Sequence, residues 1–159
     1  MSTRTAHRRG ESGSSLIEFS MVILPLFALL FLMLDVAWAL FVKACMLESV
    51  REAVRAGITG QVQSGTSLNA SIQQAAQRYS FGFINSRNVS SVLTINYYSP
   101  TNTNTALSGC GATTGGNVLQ VSINGYSLVP LAPLWRSATP LTLSVSSSDV
   151  MEPGSNVCP

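Results

Sequence analysis

From Phe19 to Val42 the chain runs for 24 residues with one charged side chain, Asp35. A helix needs about 20 predominantly apolar residues to cross a bilayer, so this run is long enough. A removable secretory signal would have an apolar core of only about 7–15 residues followed by a small-residue cleavage site. Here the core is longer, and "AWALFVKACMLESV" continues it as helix. The Ala44-Cys45 pair has a superficial likeness to a lipoprotein cleavage box, but Lys43 beside it and the over-long core argue against that. Arg4, His7, Arg8 and Arg9 crowd the segment before the run. Positive charge holds the flanking segment in the cytoplasm, so the expected topology is a single pass through a membrane. The N-terminus would be cytoplasmic and the rest extracytoplasmic.

Two carboxylates bracket the run. Between Glu18 and Asp35 lie 16 uncharged residues, about 24 Å of helix at about 1.5 Å each. The hydrocarbon slab is about 30 Å thick, so at least one acid sits at or inside an interface, or the bilayer thins locally. An acid at the centre of a spanning helix costs about 2.5–3.5 kcal/mol and less towards the edges. That cost is tolerable, and it makes each acid a candidate functional group. The plain alternative for Asp35 is a side chain reaching for headgroups.

Beyond Val42, charges appear at Lys43, Glu48, Arg51, Glu52 and Arg55, while Met46, Leu47, Val50, Val54 and Ile58 recur in helical steps. Glu48–Arg51 and Glu52–Arg55 are favourable i,i+3 pairs on a solvated face. Gly57 and Gly60 are expected to end the helix. A second helix follows, with Thr66 or Ser67 as its N-cap and Leu68, Ile72, Ala75, Ala76 and Tyr79 as its apolar stripe. Then the period changes to two. Leu93, Ile95 and Tyr97, then Leu119, Val121 and Ile123, then Leu141, Leu143 and Val145 each alternate with polar residues, as strands with one buried face do. "SPTNTNTALSGCGATTGG" and "VPLAPLWRSA" read as loops. The expected fold class is α+β. A long transmembrane helix continues into a juxtamembrane helix, then come a second helix and a small antiparallel sheet packed on the helices.

Of three cysteines, Cys110 and Cys158 fall in the exported region. An even pair outside the cytoplasm points to a disulfide between them, with Cys45 left over; three free thiols is the alternative. The chain is 10% charged with net charge +2, too weak and scattered for nucleic-acid binding. Its one histidine, His7, lies in the N-terminal leader, and Asp149 and Glu152 are the only acids beyond Glu52. No catalytic pair, metal-ligand cluster or phosphate loop is present in the sequence, so neither an enzyme nor a cofactor or metal site is expected.

The stretch "GSSLIEF", Gly13 to Phe19, places a glycine after a basic leader and a glutamate five residues later at the head of the apolar helix. This resembles the processing signal of type IV pilins, and the Glu-Phe pair resembles the tight adherence (Tad, or Flp) variant. Together with "SSLIEFSMVILPLFALLFLMLDVAWA", "VREAVRAGIT" and the weaker "VPLAPLWRSATPLTLSVSSSDVMEP", the chain resembles the TadE-like minor pilins (pseudopilins) of the Tad pilus system. Asp35 falls where that family often carries an acid, and Pro25 where pilin helices often carry a proline. The 13-residue leader and the cysteine pair depart from the most typical members.

The resemblance implies cleavage between Gly13 and Ser14 by a prepilin peptidase, with Glu18 as the fifth and Phe19 as the sixth mature residue. It implies a subunit acting in pilus assembly, initiation or capping, held in the inner (plasma) membrane with its C-terminal domain in the periplasm, or incorporated in the pilus. Its partners would be the peptidase, a partner minor pilin, the major pilin, the assembly platform and membrane lipid. The new Ser14 ammonium lies four residues from Glu18, on one helix face, so Glu18 could pair with its own Ser14 or a neighbour's. The expected organisation is 1–13 as leader, 14–60 as transmembrane and juxtamembrane helix, and 61–159 as extracytoplasmic domain. The alternatives are an uncleaved membrane-anchored extracytoplasmic binding module and a pseudopilin of a type II-like secretion system.

Overall fold

The computed structural model describes residues 11–60, 62, 65–130 and 140–153. The elements run α1 (Glu11–Ile58), α2 (Leu68–Tyr79), α3 (Val89–Val92), β1 (Leu93–Ser99), β2 (Asn102–Leu107), a 3-10 turn (Cys110–Thr113), β3 (Val118–Leu128) and β4 (Leu141–Val150). The strands form one antiparallel sheet in the order β2-β1-β3-β4. The α+β class expected from the sequence is therefore observed. The chain divides into two compact units, with the boundary inside α1 at Trp38/Ala39.

The first unit holds the apolar stretch of α1. Its side chains are apolar on every face and exposed, as with Leu16, Val22, Leu29 and Met33. A helix that is hydrophobic all round requires an apolar solvent or a surrounding core. Among the described residues, α1 is the one helix long and apolar enough to cross a membrane.

In the second unit α1 changes character. Val42, Cys45, Met46, Ser49, Val50, Ala53, Val54 and Gly57 are buried, a strict three-then-one spacing that makes a single stripe. Lys43, Glu48, Arg51 and Arg55 point away from it and are exposed. The Glu52–Arg55 pair forms at 3.9 Å on the surface, where such pairs contribute little. Half the stripe is small, which lets neighbouring elements come close. At Gly57 an added Cβ would run into Leu119 Cδ2 of β3 and Ile72 Cδ1 of α2. Gly57 is thus a packing residue inside the helix rather than its terminator, and the helix runs on to Ile58. Gly60, with φ of +63°, lies beyond the end.

Ser67 caps α2, its hydroxyl accepting from Ala70 N–H at 3.3 Å. Leu68, Ile72 and Ala76 are buried as the stripe requires, but Ala75 is half-buried and Tyr79 exposed. The Ala76 carbonyl lies in the last turn of α2, where carbonyls lack an intrahelical donor. Ser49 Oγ donates to it at 2.7 Å in a buried site, so a polar residue in the α1 stripe finishes the neighbouring helix.

The sheet buries the residues its alternation selects. Leu119, Val121 and Ile123 are fully buried, and Leu93, Tyr97 and Val145 nearly so. At the start of β4 the alternation fails, with Leu141 exposed and Leu143 half-buried. The β3–β4 register shifts between Ile123 and Tyr126, where Gly125 takes φ of +66°. Such a bulge bends the ladder away from the core. The segment read as a loop from Ser99 onward holds β2 and the 3-10 turn. Its Asn/Thr composition hid the strand, because β2 is an edge strand exposed on nearly all its length and has no buried face to encode. Of the other expected loop, residues 131–139 lie outside the described residues.

Tyr97 ties β1 to α2, its hydroxyl donating to Asn69 Oδ1 at 2.7 Å. Burial raises its pKa from 10.0 to about 12. The folded state therefore favours the neutral phenol. This contribution is complete below pH 10, where the unfolded chain is also neutral, and is lost as pH rises towards 12. Tyr97→Phe should flatten the fall in stability across that window relative to the parent chain, measured by denaturant titration at stepped pH. An unchanged slope would count against this role.

Candidate assembly helix

The residues singled out from the sequence fall mainly on the first unit's part of α1. Gly13 lies in its first turns with open space around its Cα. Ser14 Oγ donates to Glu18 Oε1 at 3.3 Å, both side chains being exposed. The i,i+4 relation thus brings these two polar groups together at the head of an apolar helix, where a carboxylate also complements the helix dipole. Phe19 is 62% exposed. Pro25 sits inside the helix, and having no N–H it removes the usual donor to the Met21 carbonyl. Asp35 is half-buried and engaged in an interaction within the chain. Phe27 and Phe31 stack one turn apart, with ring centroids at 6.3 Å.

Of the cysteines, Cys45 is free and buried in the α1 stripe. Cys110 opens the 3-10 turn, and Cys158 lies outside the described residues. Residues 1–10 of the expected leader lie outside them too, while Glu11–Gly13 form the start of α1.

The second unit has an open groove of about 830 Å³ between the end of α1 and α2, lined by Glu52, Arg55, Ser71, Gln74, Arg78 and Tyr79 among others. Sequence reasoning missed Ser49 and Gly57, whose roles depend on α2 and β3. It also missed the turn after α2, where Phe81 adopts φ of +52°. The only local sign of that turn was Gly82.

One helix of membrane-crossing length, running on into the core of a small α+β unit, defines a chain with a candidate single-pass anchor at its N-terminus. Residues 13–55 match the family model described as TadE-like protein, and the likeness is confined to this segment. The match begins at Gly13 and ends at Arg55, taking in Ser14, Glu18, Pro25, Asp35 and most of the buried α1 stripe. Helix α2 and the sheet lie outside it. No match was found among curated proteins or among solved structures.

Proposed function

We propose that the chain is a minor pilin, or pseudopilin, of a tight adherence (Tad/Flp) pilus. Prepilin peptidase cuts it between Gly13 and Ser14, and it then acts in pilus assembly, initiation or capping. The observation that carries this reading is the TadE-like match beginning at Gly13, on a helix that places Glu18 within reach of Ser14. Cleavage would give Ser14 an ammonium four residues from the Glu18 carboxylate. α1 then supplies the membrane anchor, N-terminus cytoplasmic and second unit extracytoplasmic. In assembly, Glu18 pairs with the ammonium of its own chain or of a neighbouring subunit. The role is structural rather than catalytic, with pilin subunits and the inner-membrane assembly platform as partners.

Mass spectrometry of the mature chain from membranes tests the reading. An N-terminus at Ser14 supports it, and an intact leader in the working protein supports an uncleaved anchor instead.

The same reading includes a Cys110–Cys158 bridge. Gly116 N–H donates to Met151 O at 3.0 Å and Met151 N–H to Asn117 O at 2.8 Å. At Gly115 an added Cβ would press on Pro153, so the chain at Pro153 lies beside residue 115. Asn117 Nδ2 also bonds the Gly111 and Ala112 carbonyls of the Cys110 turn. From Pro153, five residues of chain reach Cys158, a span of up to about 17 Å. The bridge should make the oxidised chain migrate faster than the reduced one on a denaturing gel. Identical mobility after thiol blocking would remove it.

A further inference from the structure

The turn that follows α2 carries a large aromatic side chain that the fold itself does not use. Phe81 is 78% exposed, yet its backbone is held at φ +52°, a conformation that bulky residues rarely adopt. Gly82 follows at φ +87°, and Phe83 N–H closes the turn on Ser80 O at 3.1 Å. The turn is firmly built. Ser80 is fully buried, and its hydroxyl accepts from Ile84 N–H at 3.1 Å. Asn88 accepts from Asn85 N–H at 2.8 Å and donates to Phe83 O at 3.1 Å. Phe81 is therefore presented on a rigid support in a backbone state that glycine or asparagine would adopt with less strain. Strain kept at a side chain that adds nothing to the core points to a contact outside the chain.

Position identifies that contact. Phe83 packs edge-on against Phe41 of α1, ring centroids 6.4 Å apart. Phe41 is one residue from the end of the apolar run and two before Lys43, where a helix spanning by this run leaves the hydrocarbon. Phe41 itself is 50% exposed. The turn is thus fixed to α1 at Phe41, which on the anchor reading is the level of the membrane–water boundary. Aromatic rings favour that layer, and a preformed support spares the entropy of ordering it on contact.

We propose that the Ser80–Ile84 turn seats Phe81 in the interfacial layer of the membrane that α1 spans, giving the second unit a lipid contact besides its helix. This rests on the anchor reading of α1. The test uses the full chain in vesicles containing acyl-chain-brominated lipid. One variant combines Phe81→Trp with Trp38→Phe and Trp135→Phe; a control carries Trp135→Phe alone, so that Trp38 reports on α1. The indole at position 81 should show a blue-shifted emission and lose intensity on a scale comparable with Trp38.

If Trp38 is quenched while the indole at position 81 is not, that position faces water or a protein, and the proposal fails while the anchor stands. If neither is quenched, the anchor reading fails and the proposal with it. Hydroxyl-radical labelling of the unmutated chain in the same vesicles gives a second reading. Corrected for intrinsic reactivity, Phe81 should be oxidised more slowly than Tyr79, although Phe81 is 78% and Tyr79 42% exposed within the chain. Oxidation in proportion to those exposures would overturn the proposal.

Discussion

Glu18→Ala is expected to remove the chain from assembled fibres while leaving its membrane insertion intact. On the pilin reading, cleavage leaves an ammonium at Ser14 that is drawn into an apolar helix bundle. Removing one partner of a buried ion pair costs about 3–5 kcal/mol, because the other charge is left uncompensated. At about 1.4 kcal/mol per factor of ten, that amounts to roughly two to three and a half orders of magnitude in subunit association. Insertion moves the other way. Losing a carboxylate from an apolar helix relieves a cost of up to about 2.5–3.5 kcal/mol, so the mutant should partition into membranes at least as well. The readout is the share of the chain in sheared fibres against the membrane fraction. Glu18→Gln should behave like Glu18→Ala, since it keeps shape and loses charge. Incorporation of either variant at the parental level would refute the ion-pair role.

The second large effect is expected at Gly57. Alanine there gains about 1 kcal/mol of helix propensity over glycine. Against that stands the collision of its Cβ with Leu119 and Ile72, both fully buried, and overpacking of a close-packed core costs about 1–3 kcal/mol. Gly57→Ala should therefore lie between neutral and mildly destabilising. Valine adds two methyl groups in the same space together with β-branching, which removes the compensation. Gly57→Val should cost about 3 kcal/mol or more. That corresponds to a fall of about 10–20 °C in the unfolding midpoint for a unit of this size. Near-UV circular dichroism of the detergent-solubilised chain would follow it. A midpoint unchanged by valine would mean that the helix can shift away from β3, and that the close approach is not required.

Much of the architecture was legible because it depends on patterns local in sequence. The apolar run could be read from length and charge alone. The strand β3 could be read because its buried face alternates strictly over Leu119, Val121 and Ile123, all at 0% exposure, and β1 because Leu93 and Tyr97 are buried, although Ile95 between them is half-buried. The cap of α2 was legible from residue type as Thr66 or Ser67, and the structure selects Ser67. Elements without a buried face were not. β2 lies at the edge of the sheet and is exposed on nearly all its length, so nothing forces an alternation on "NTNTAL". β4 carries a regular alternation, but the bulge at Asn124–Gly125 lets its first leucine come out of the core.

The small residues of α1 were misread for a related reason. Periodicity methods weigh large apolar side chains, and Met46, Val50 and Val54 were recognised on that basis. Cys45, Ser49, Ala53 and Gly57 complete the same stripe but carry little hydrophobic signal, and Gly57 looks like a stop. What they provide is room, and room has meaning only once the neighbour is known. Ser49 donates to a carbonyl 27 residues away, and Gly57 admits two side chains from elements that follow it.

By itself, then, the sequence determined the membrane-length helix, the Ser14–Glu18 spacing at its head, the α+β class and the resemblance carried by residues from Gly13 onward. These are set by composition and short-range spacing, which survive without knowledge of the fold. Only the tertiary structure decided which face of α1 is buried beyond Val42, that Gly57 packs rather than terminates, and that a strained turn holds Phe81 beside Phe41. Each of those depends on contacts between residues distant in the chain, and no local pattern records them.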